Sequence, residues 1–182
     1  MSRIENGDKI FPALFDLQIN IVSLLVEVGV IGDLEHKFEA IKGTVRSLYE
    51  SHEVFSNRMD AFRHQFSVIL RYRAIWDKFM GLIIMRFLPD KYDAYMKAKS
   101  KKKDFITITS KVHIDTLFKP LIDAMMEFDD EFRTTEAHFT GRIRKWTFTS
   151  LGIHASPSLR LIHPYIGIHL RNMLSLLKAA FN

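Results

Sequence analysis

Residues 57–89, NRMDAFRHQFSVILRYRAIWDKFMGLIIMRFLP, carry the most regular pattern in the chain. Large apolar side chains recur there at spacings of three, four and seven residues, which place them on one stripe of an α-helix. Arg73 has the same helical phase as these apolar residues, and Pro89 ends the pattern because proline interrupts a helix. The stretch predicts a long helix with a core-facing stripe that comprises Phe62, Phe66, Ile69, Trp76, Met80, Ile83 and Phe87.

Two more helices are predicted on the N-terminal side of this stretch. The first covers residues 8–28 and ends near Gly29 and Gly32, since glycine is common at helix C-termini. Asp33 is then the N-cap of a second helix, because its carboxylate can accept hydrogen bonds from the first turn. The apolar stripe of this second helix comprises Leu34, Phe38, Ile41, Val45, Leu48 and His52.

Four further helical segments are predicted on the C-terminal side. We assign the β-branched patch at residues 105–110 to a helix rather than to a strand. Pro120 is placed in the first turn of a helix, where the missing amide hydrogen costs little. In chain order, the segments are a short helix from Pro89 through Met96, the helix over residues 105–110, a helix from Pro120 through Phe132, and a last helix over residues 163–180.

Residues 1–182 are therefore predicted to form one all-α domain, a bundle of five to seven helices. The 182 residues include only 8 glycines and 5 prolines, which favours long helices. Strict alternation of apolar and polar residues, which is typical of strands, is nearly absent. With 47% hydrophobic residues, a chain of this length can bury a sizeable core.

The chain contains no cysteine. This excludes a disulfide scaffold, a zinc knuckle, an iron–sulfur cluster and a thiol nucleophile, and it fits a reducing compartment. Asp60 and His64 are four residues apart, but a metal site in a bundle needs several such pairs to converge. We therefore expect neither a metal nor another cofactor.

The apolar segment over residues 11–31 is interrupted by polar side chains. It contains Asp16, Gln18, Asn20 and Glu27, which would be costly inside a bilayer. The segment predicts a buried amphipathic helix rather than a membrane span. We accordingly expect a cytoplasmic protein that does not associate with a membrane.

Positive charge is concentrated towards the C-terminus. The formal net charge is +5, and residues 137–182 contain six basic residues but no acidic residue. Among them, Arg142, Arg144 and Lys145 can neutralise phosphates, and the ring of Trp146 can stack on a base. The pattern indicates RNA or DNA binding. The alternative is that the basic segment packs against the acidic stretch just before it, within one chain or between subunits.

The hexapeptide Arg133-Thr134-Thr135-Glu136-Ala137-His138 separates an arginine from a histidine by four residues. It resembles the motif of the HEPN superfamily, whose members are helical bundles and in many cases metal-independent RNA endonucleases that act as dimers. The resemblance implies that His138 acts as a general acid or base and that Arg133 binds the scissile phosphate. The family usually has asparagine or histidine directly after the arginine, where this chain has Thr134.

Two other arginine–histidine pairs in the chain have similar spacing, Arg46 with His52 and Arg58 with His64. We prefer the hexapeptide because it leads directly into the basic segment at Arg142. The alternative for Arg133 is a local ion pair with Asp129 or Glu131, with the histidine in a turn.

Arg73 is a charged residue on an apolar stripe, which is costly unless the charge is paired. Asp77 follows four residues later and lies on the same helix face, so the two side chains are expected to pair. Two interpretations remain open. Arg73 either belongs to a structural ion pair or binds an anion in a cleft between helices.

These observations support three hypotheses about function. The first is a nucleic-acid-associated helical protein, in its most specific form an RNA endonuclease of HEPN-like type. The second is a non-catalytic helical protein that self-associates, with a homodimer as the expected assembly. The third is a small-molecule enzyme with a pocket between helices near Arg73 and Asp77.

Overall fold

The computed structural model describes residues 7–41, 52–138 and 162–181. Every regular element in these residues is helical, which confirms the all-α prediction. A 3₁₀ turn over Pro89–Lys91 joins the second helix to the third, and a π-helical segment, Asp129–Thr134, extends the fifth into a last turn, Thr135–Ala137. The helices are α1 (Gly7–Ile41), α2 (His52–Phe87), α3 (Tyr92–Met96), α4 (Lys101–Ser110), α5 (Asp115–Phe128) and α6 (Ile162–Phe181).

The first helix is longer than predicted. α1 continues through Gly29 and Gly32, so the predicted end near these glycines and the predicted N-cap at Asp33 are wrong. A glycine inside a helix costs about 1 kcal/mol relative to alanine. Leu24 and Ile31 are fully buried on one side of α1, and burial of each contributes about 1.5–3 kcal/mol. Tertiary packing therefore outweighs the local preference for a helix end.

The second helix confirms the prediction from its apolar stripe. It begins at His52, earlier than the predicted start near Asn57, and it ends before Pro89 as predicted. Trp76 and Ile83 of the stripe are fully buried, whereas Phe87 at the end of the helix is 40% exposed, so its predicted place in the core is wrong. Residues 42–51 of the second predicted helix lie outside the described residues.

A left-handed residue separates α4 from α5. His113 has a φ of 59°, a conformation that few residues other than glycine adopt. The amides of His113 and Ile114 donate to the carbonyl oxygens of Ser110 and Thr109, each at 3.2 Å, which is the pattern of a Schellman motif. This turn ends α4, whose bounds confirm the helix predicted over residues 105–110.

After this turn, α5 begins at Asp115, which is earlier in the chain than the predicted start at Pro120. Pro120 therefore lies inside the helix, and its predicted place in the first turn is wrong. Proline leaves one helix carbonyl without its usual amide donor. Phe118, Leu121 and Ile122 are buried on either side of it, and this burial offsets the lost hydrogen bond.

The described helices form two compact units. The first contains residues 7–22, 73–126 and 168–181, and the second contains residues 23–41, 52–72, 127–138 and 162–167.

Aromatic rings form the core of the first unit. Phe118 on α5 packs edge-to-face against Phe79 of α2 and Phe105 of α4, with ring centroids 6.2 and 5.9 Å apart. Trp76 packs against Phe79 at 5.7 Å and against His169 of α6 at 6.5 Å. This packing buries the imidazole of His169.

The second unit has its own aromatic contact between helices. The ring of Tyr72 on α2 lies 4.3 Å from that of Phe128 on α5, which in turn lies 5.0 Å from Phe132 in the π-helical segment. The Thr135 hydroxyl donates to the carbonyl oxygens of Glu131 and Phe132. This side chain therefore supplies hydrogen bonds where the helix changes from π to α.

Candidate functional site

The residues of the HEPN-like hexapeptide follow α5, in the π-helical segment and the turn after it. Arg133 belongs to the π-helical segment, and its Nη1 lies 3.5 Å from Oδ2 of Asp129, so one of the two local partners expected for it is confirmed. His138 is exposed, and its backbone amide donates to the carbonyl of Thr134 at 3.1 Å. In the described part of the chain, no hydrogen bond joins Arg133 to His138.

The predicted nucleic-acid-binding residues Arg142, Arg144, Lys145 and Trp146 lie outside the described residues. Two other basic residues of the acid-free C-terminal segment are described, Arg171 and Lys178 on α6. Both are exposed, and their spacing of seven places them on the same side of the helix.

Arg73 forms the ion pair predicted from its spacing. Its Nη1 lies 2.9 Å from Oδ1 of Asp77, and the same nitrogen donates to Sδ of Met125 at 3.0 Å. The Tyr95 hydroxyl donates to the backbone carbonyl of Asp77 at 3.3 Å. Burial raises the pKa of Tyr95, and the negative charge of Asp77 raises it further, so the phenol stays neutral. The binding of an anion by Arg73 remains a prediction.

A polar network in the second unit joins α1 to α2. Nδ1 of His64 lies 2.5 Å from Oε2 of Glu27, and the Ser67 hydroxyl donates to Oε1 at 3.3 Å. Nε of Arg71 donates to the Ser67 hydroxyl at 3.1 Å and lies 3.6 Å from Oε1 of Glu27. The hydrogen bond from His64, reinforced by its charge and that of Arg71, holds the pKa of Glu27 below its ordinary value.

Sequence reasoning missed this network for a physical reason. Glu27 and His64 are 37 positions apart, and no local spacing predicts that two helices will align them. The sequence instead suggested Asp60 as the neighbour of His64, whereas Asp60 pairs with Arg63 at 3.4 Å on the surface. The contact of Nδ1 with the Glu27 carboxylate fixes the orientation of the His64 ring. His64 is therefore the histidine whose orientation the described structure explains best.

Replacement of Glu27 by glutamine is expected to lower the free energy of unfolding by about 1–2 kcal/mol at neutral pH, because it removes a charged acceptor from a partly buried network. A carboxylate whose pKa is lowered by folding stabilises the native state above its unfolded pKa. That stabilisation is lost as pH falls through the folded value. The difference in the free energy of unfolding between wild type and Glu27→Gln should therefore have its full size at neutral pH. It should shrink below about pH 4.5, the ordinary pKa of this carboxyl group. Urea unfolding between pH 7 and pH 3 measures it.

Asp60→Asn is the matched control, since the same isosteric change at an exposed ion pair should cost less than about 1 kcal/mol. An equal loss of stability in both variants, or a Glu27→Gln deficit that does not change with pH, would contradict the role given to the network.

A second apolar face of α1 is exposed to solvent. Ile10 and Leu17 are buried on one side of the helix, yet Phe11, Phe15 and Ile19 on the other side are between 48% and 73% exposed. Val22 on the same side is 53% exposed. We name Phe11, Phe15, Ile19 and Val22 the α1 stripe.

The α1 stripe has the spacing of a helix-pairing seam. Its members follow one another at intervals of four, four and three residues, which is close to the alternation of three and four found where two helices pack side by side. Between Phe11 and Val22 the only charged residue is Asp16. Asp16 is bonded to Lys78 of α2 and therefore does not belong to the stripe.

By length and composition alone, one helix among the described residues could cross a membrane. Within residues Asp8–Leu34 of α1, an 18-residue window has a mean hydropathy of 1.8, and 22% of that window is buried by the rest of the chain. The sequence prediction of a buried helix is therefore only partly right, because α1 buries one side and exposes large apolar side chains on another.

The chain was compared with protein-family models, with curated proteins and with solved structures, and none of them matches it.

Proposed function

We propose that this protein is a helical self-association protein in which two copies pair through the α1 stripe. The observation that carries the proposal is the row of four large, exposed apolar side chains on one face of a long helix. Exposed apolar rows of this kind are removed from water when a partner covers them. Burial of such side chains is the main favourable term in association.

A second copy is the partner that best fits the stripe. The stripe presents no charge, so a charged partner would gain nothing from it. Its spacing suits another helix with the same spacing, and a two-fold axis brings the identical stripe of a second chain against it. The same surface then serves both partners.

Ion pairs on the other side of α1 favour a helical partner over a bilayer. Asp16 is bonded to Lys78, and Glu27 to His64 and Arg71. Each of these partners lies on α2, which also carries exposed charges such as Arg63. Ionised side chains are expensive inside hydrocarbon. A protein partner covers the stripe and leaves these pairs intact.

Sedimentation velocity over a range of protein concentrations tests the proposal. We expect the apparent mass to rise with concentration from 21.3 kDa towards twice that value. A monomer at all concentrations, or a protein that leaves solution to bind neutral lipid vesicles, would contradict it.

Nucleic-acid association is the second candidate function, and one observation favours it. Arg171 and Lys178 are exposed on one side of α6, in a segment of 46 residues, 137–182, that holds no acidic side chain. Such a surface attracts phosphates. In this proposal Arg142, Arg144, Lys145 and Trp146 extend the same cationic segment.

We expect single-stranded RNA to bind at low salt and to dissociate as salt rises. Binding of the protein releases counterions from the phosphates, and a higher salt concentration opposes that release. The double variant Arg171→Gln/Lys178→Gln should weaken binding and flatten the salt dependence. Lys111→Gln/Lys119→Gln, which removes two exposed charges elsewhere, is the control. Fluorescence anisotropy measures both. No binding at low salt, or equal losses in the two double variants, would exclude this surface.

The HEPN-like form of the second candidate makes a stricter prediction. RNA cleavage should persist in EDTA, since histidine and arginine need no metal, and it should vanish in His138→Ala and Arg133→Ala. Cleavage that survives both substitutions would exclude Arg133 and His138 as the catalytic pair.

A further inference from the structure

A cavity of about 320 Å³ opens inside the first unit. Its size falls within the range of small-molecule sites. Four helices contribute to its wall, which is mainly apolar. The apolar part includes Ala13 of α1, Ala74, Gly81 and Leu82 of α2, and Met96 of α3.

Most charges in the cavity wall are compensated by partners from the same chain. Asp16 is bonded to Lys78, and Asp77 is paired with Arg73 at 2.9 Å. Lys101 differs from them, because in the described part of the chain no carboxylate lies within 4 Å of its Nζ. The cavity therefore contains one positive charge that the described residues do not neutralise.

The position of Lys101 is fixed by backbone groups. Its Nζ donates to the carbonyl oxygen of Tyr95 at 2.7 Å and to that of Met96, and it lies 5.0 Å from the centre of the Tyr95 ring. An ammonium group has three donor hydrogens, so one remains for another acceptor. Lys101 is also the first residue of α4, where the helix dipole disfavours a cation and favours an anion.

A second polar group lines the same cavity. Tyr92 of α3 is half-buried there, and its hydroxyl makes no hydrogen bond to any described residue. Lys101 and Tyr92 line the same cavity, so each can donate one hydrogen bond to a carboxylate bound there. The alanines, Gly81 and Leu82 provide an apolar wall for the rest of such a molecule.

We propose that this cavity binds a small monocarboxylate with an apolar body, its carboxylate held by Lys101 and Tyr92. The site is independent of the α1 stripe and of the C-terminal basic segment. It corresponds in place to the pocket suggested from Arg73 and Asp77, although Arg73 acts there only through its pairing with Asp77 and is not part of the cavity wall.

Titration calorimetry of the full chain with octanoate tests the site, and octylamine is the matched probe of opposite charge. We expect saturable binding of octanoate and none of octylamine. Lys101→Met should weaken octanoate binding about tenfold or more, because it removes a charged donor. Lys103→Met makes the same change of charge two residues away on an exposed side chain outside the cavity, and it should leave binding unchanged.

Tyr92→Phe keeps the test decisive if Lys101→Met does not fold, since it removes only the hydroxyl. It should weaken octanoate binding about fivefold. The proposal is overturned if octanoate does not saturate, if octylamine binds equally well, or if Lys103→Met loses as much affinity as Lys101→Met. Unchanged affinity in Tyr92→Phe would show that the hydroxyl does not bind the carboxylate, and it would overturn the proposed arrangement.

Discussion

Replacement of Val22 by aspartate is expected to convert a dimer of this protein into a monomer. Val22 is the last member of the α1 stripe and is 53% exposed, so the free chain tolerates a charged side chain there. In a two-fold pair, each copy would instead bury an unpaired carboxylate against apolar side chains, which is costly. We expect the dimer dissociation constant to rise about a hundredfold. Sedimentation velocity of wild type and variant at equal concentration measures the change.

Leu117→Asp is the matched control for this variant. Leu117 lies on α5 in the same unit, is 57% exposed and does not belong to the stripe. It should leave the dimer unchanged, and circular dichroism should show the same helicity for both variants. Equal dissociation by Leu117→Asp, or a dimer that survives Val22→Asp, would exclude the stripe as the interface.

Replacement of Phe118 by alanine is expected to lower the free energy of unfolding by about 3–5 kcal/mol. This ring is almost completely buried and joins three helices, since it packs edge-to-face against Phe79 of α2 and Phe105 of α4. The substitution removes both ring contacts and leaves a cavity that rigid helices fill only partly. Urea unfolding at fixed protein concentration measures the loss.

The neighbouring position supplies the control. Leu117→Ala truncates an exposed side chain on the same helix and should change stability by less than about 0.5 kcal/mol. Similar losses at Phe118 and Leu117 would mean that the aromatic cluster does not hold α2, α4 and α5 together.

Features that depend on neighbouring residues along the chain could be predicted from the sequence. The apolar spacing of α2, its end before Pro89 and the pairing of Arg73 with Asp77 are all local, and the structure confirms each of them. The helix at residues 105–110 was predicted because helical context outweighs a few β-branched side chains, and α4 confirms it.

Features that depend on distant residues could not be predicted in this way. Gly29 and Gly32 signal a helix end locally, but burial of Leu24 and Ile31 carries α1 past them. The contact of Glu27 with His64 requires two helices to align, and nothing in either segment predicts that alignment.

The α1 stripe illustrates a different limit. Apolar residues at helical spacing look alike in a sequence whether they face the core or the solvent, so the first helix was predicted to be buried. Only the packing shows that Leu17 is inside and Phe15 outside. His169 gives the reverse case, a polar residue that is buried against Trp76.

Cross-linking through a single introduced thiol tests self-association through α1 most directly, because the natural chain contains no cysteine. Gln18 is exposed and lies between Phe15 and Val22 on the same face of α1. Asn20 lies about 200° away around the helix, where its amide donates to Asp16. Gln18→Cys and Asn20→Cys therefore place the same thiol on opposite sides of one helix.

Each variant is treated with a short bismaleimide, and reaction with a monomaleimide establishes that both thiols are accessible. We expect Gln18→Cys to form a covalent dimer and Asn20→Cys to form little. The covalent dimer of Gln18→Cys should disappear when Val22→Asp is added to the same chain. Accessible thiols that cross-link equally at both positions, or at neither, would contradict pairing through the α1 stripe.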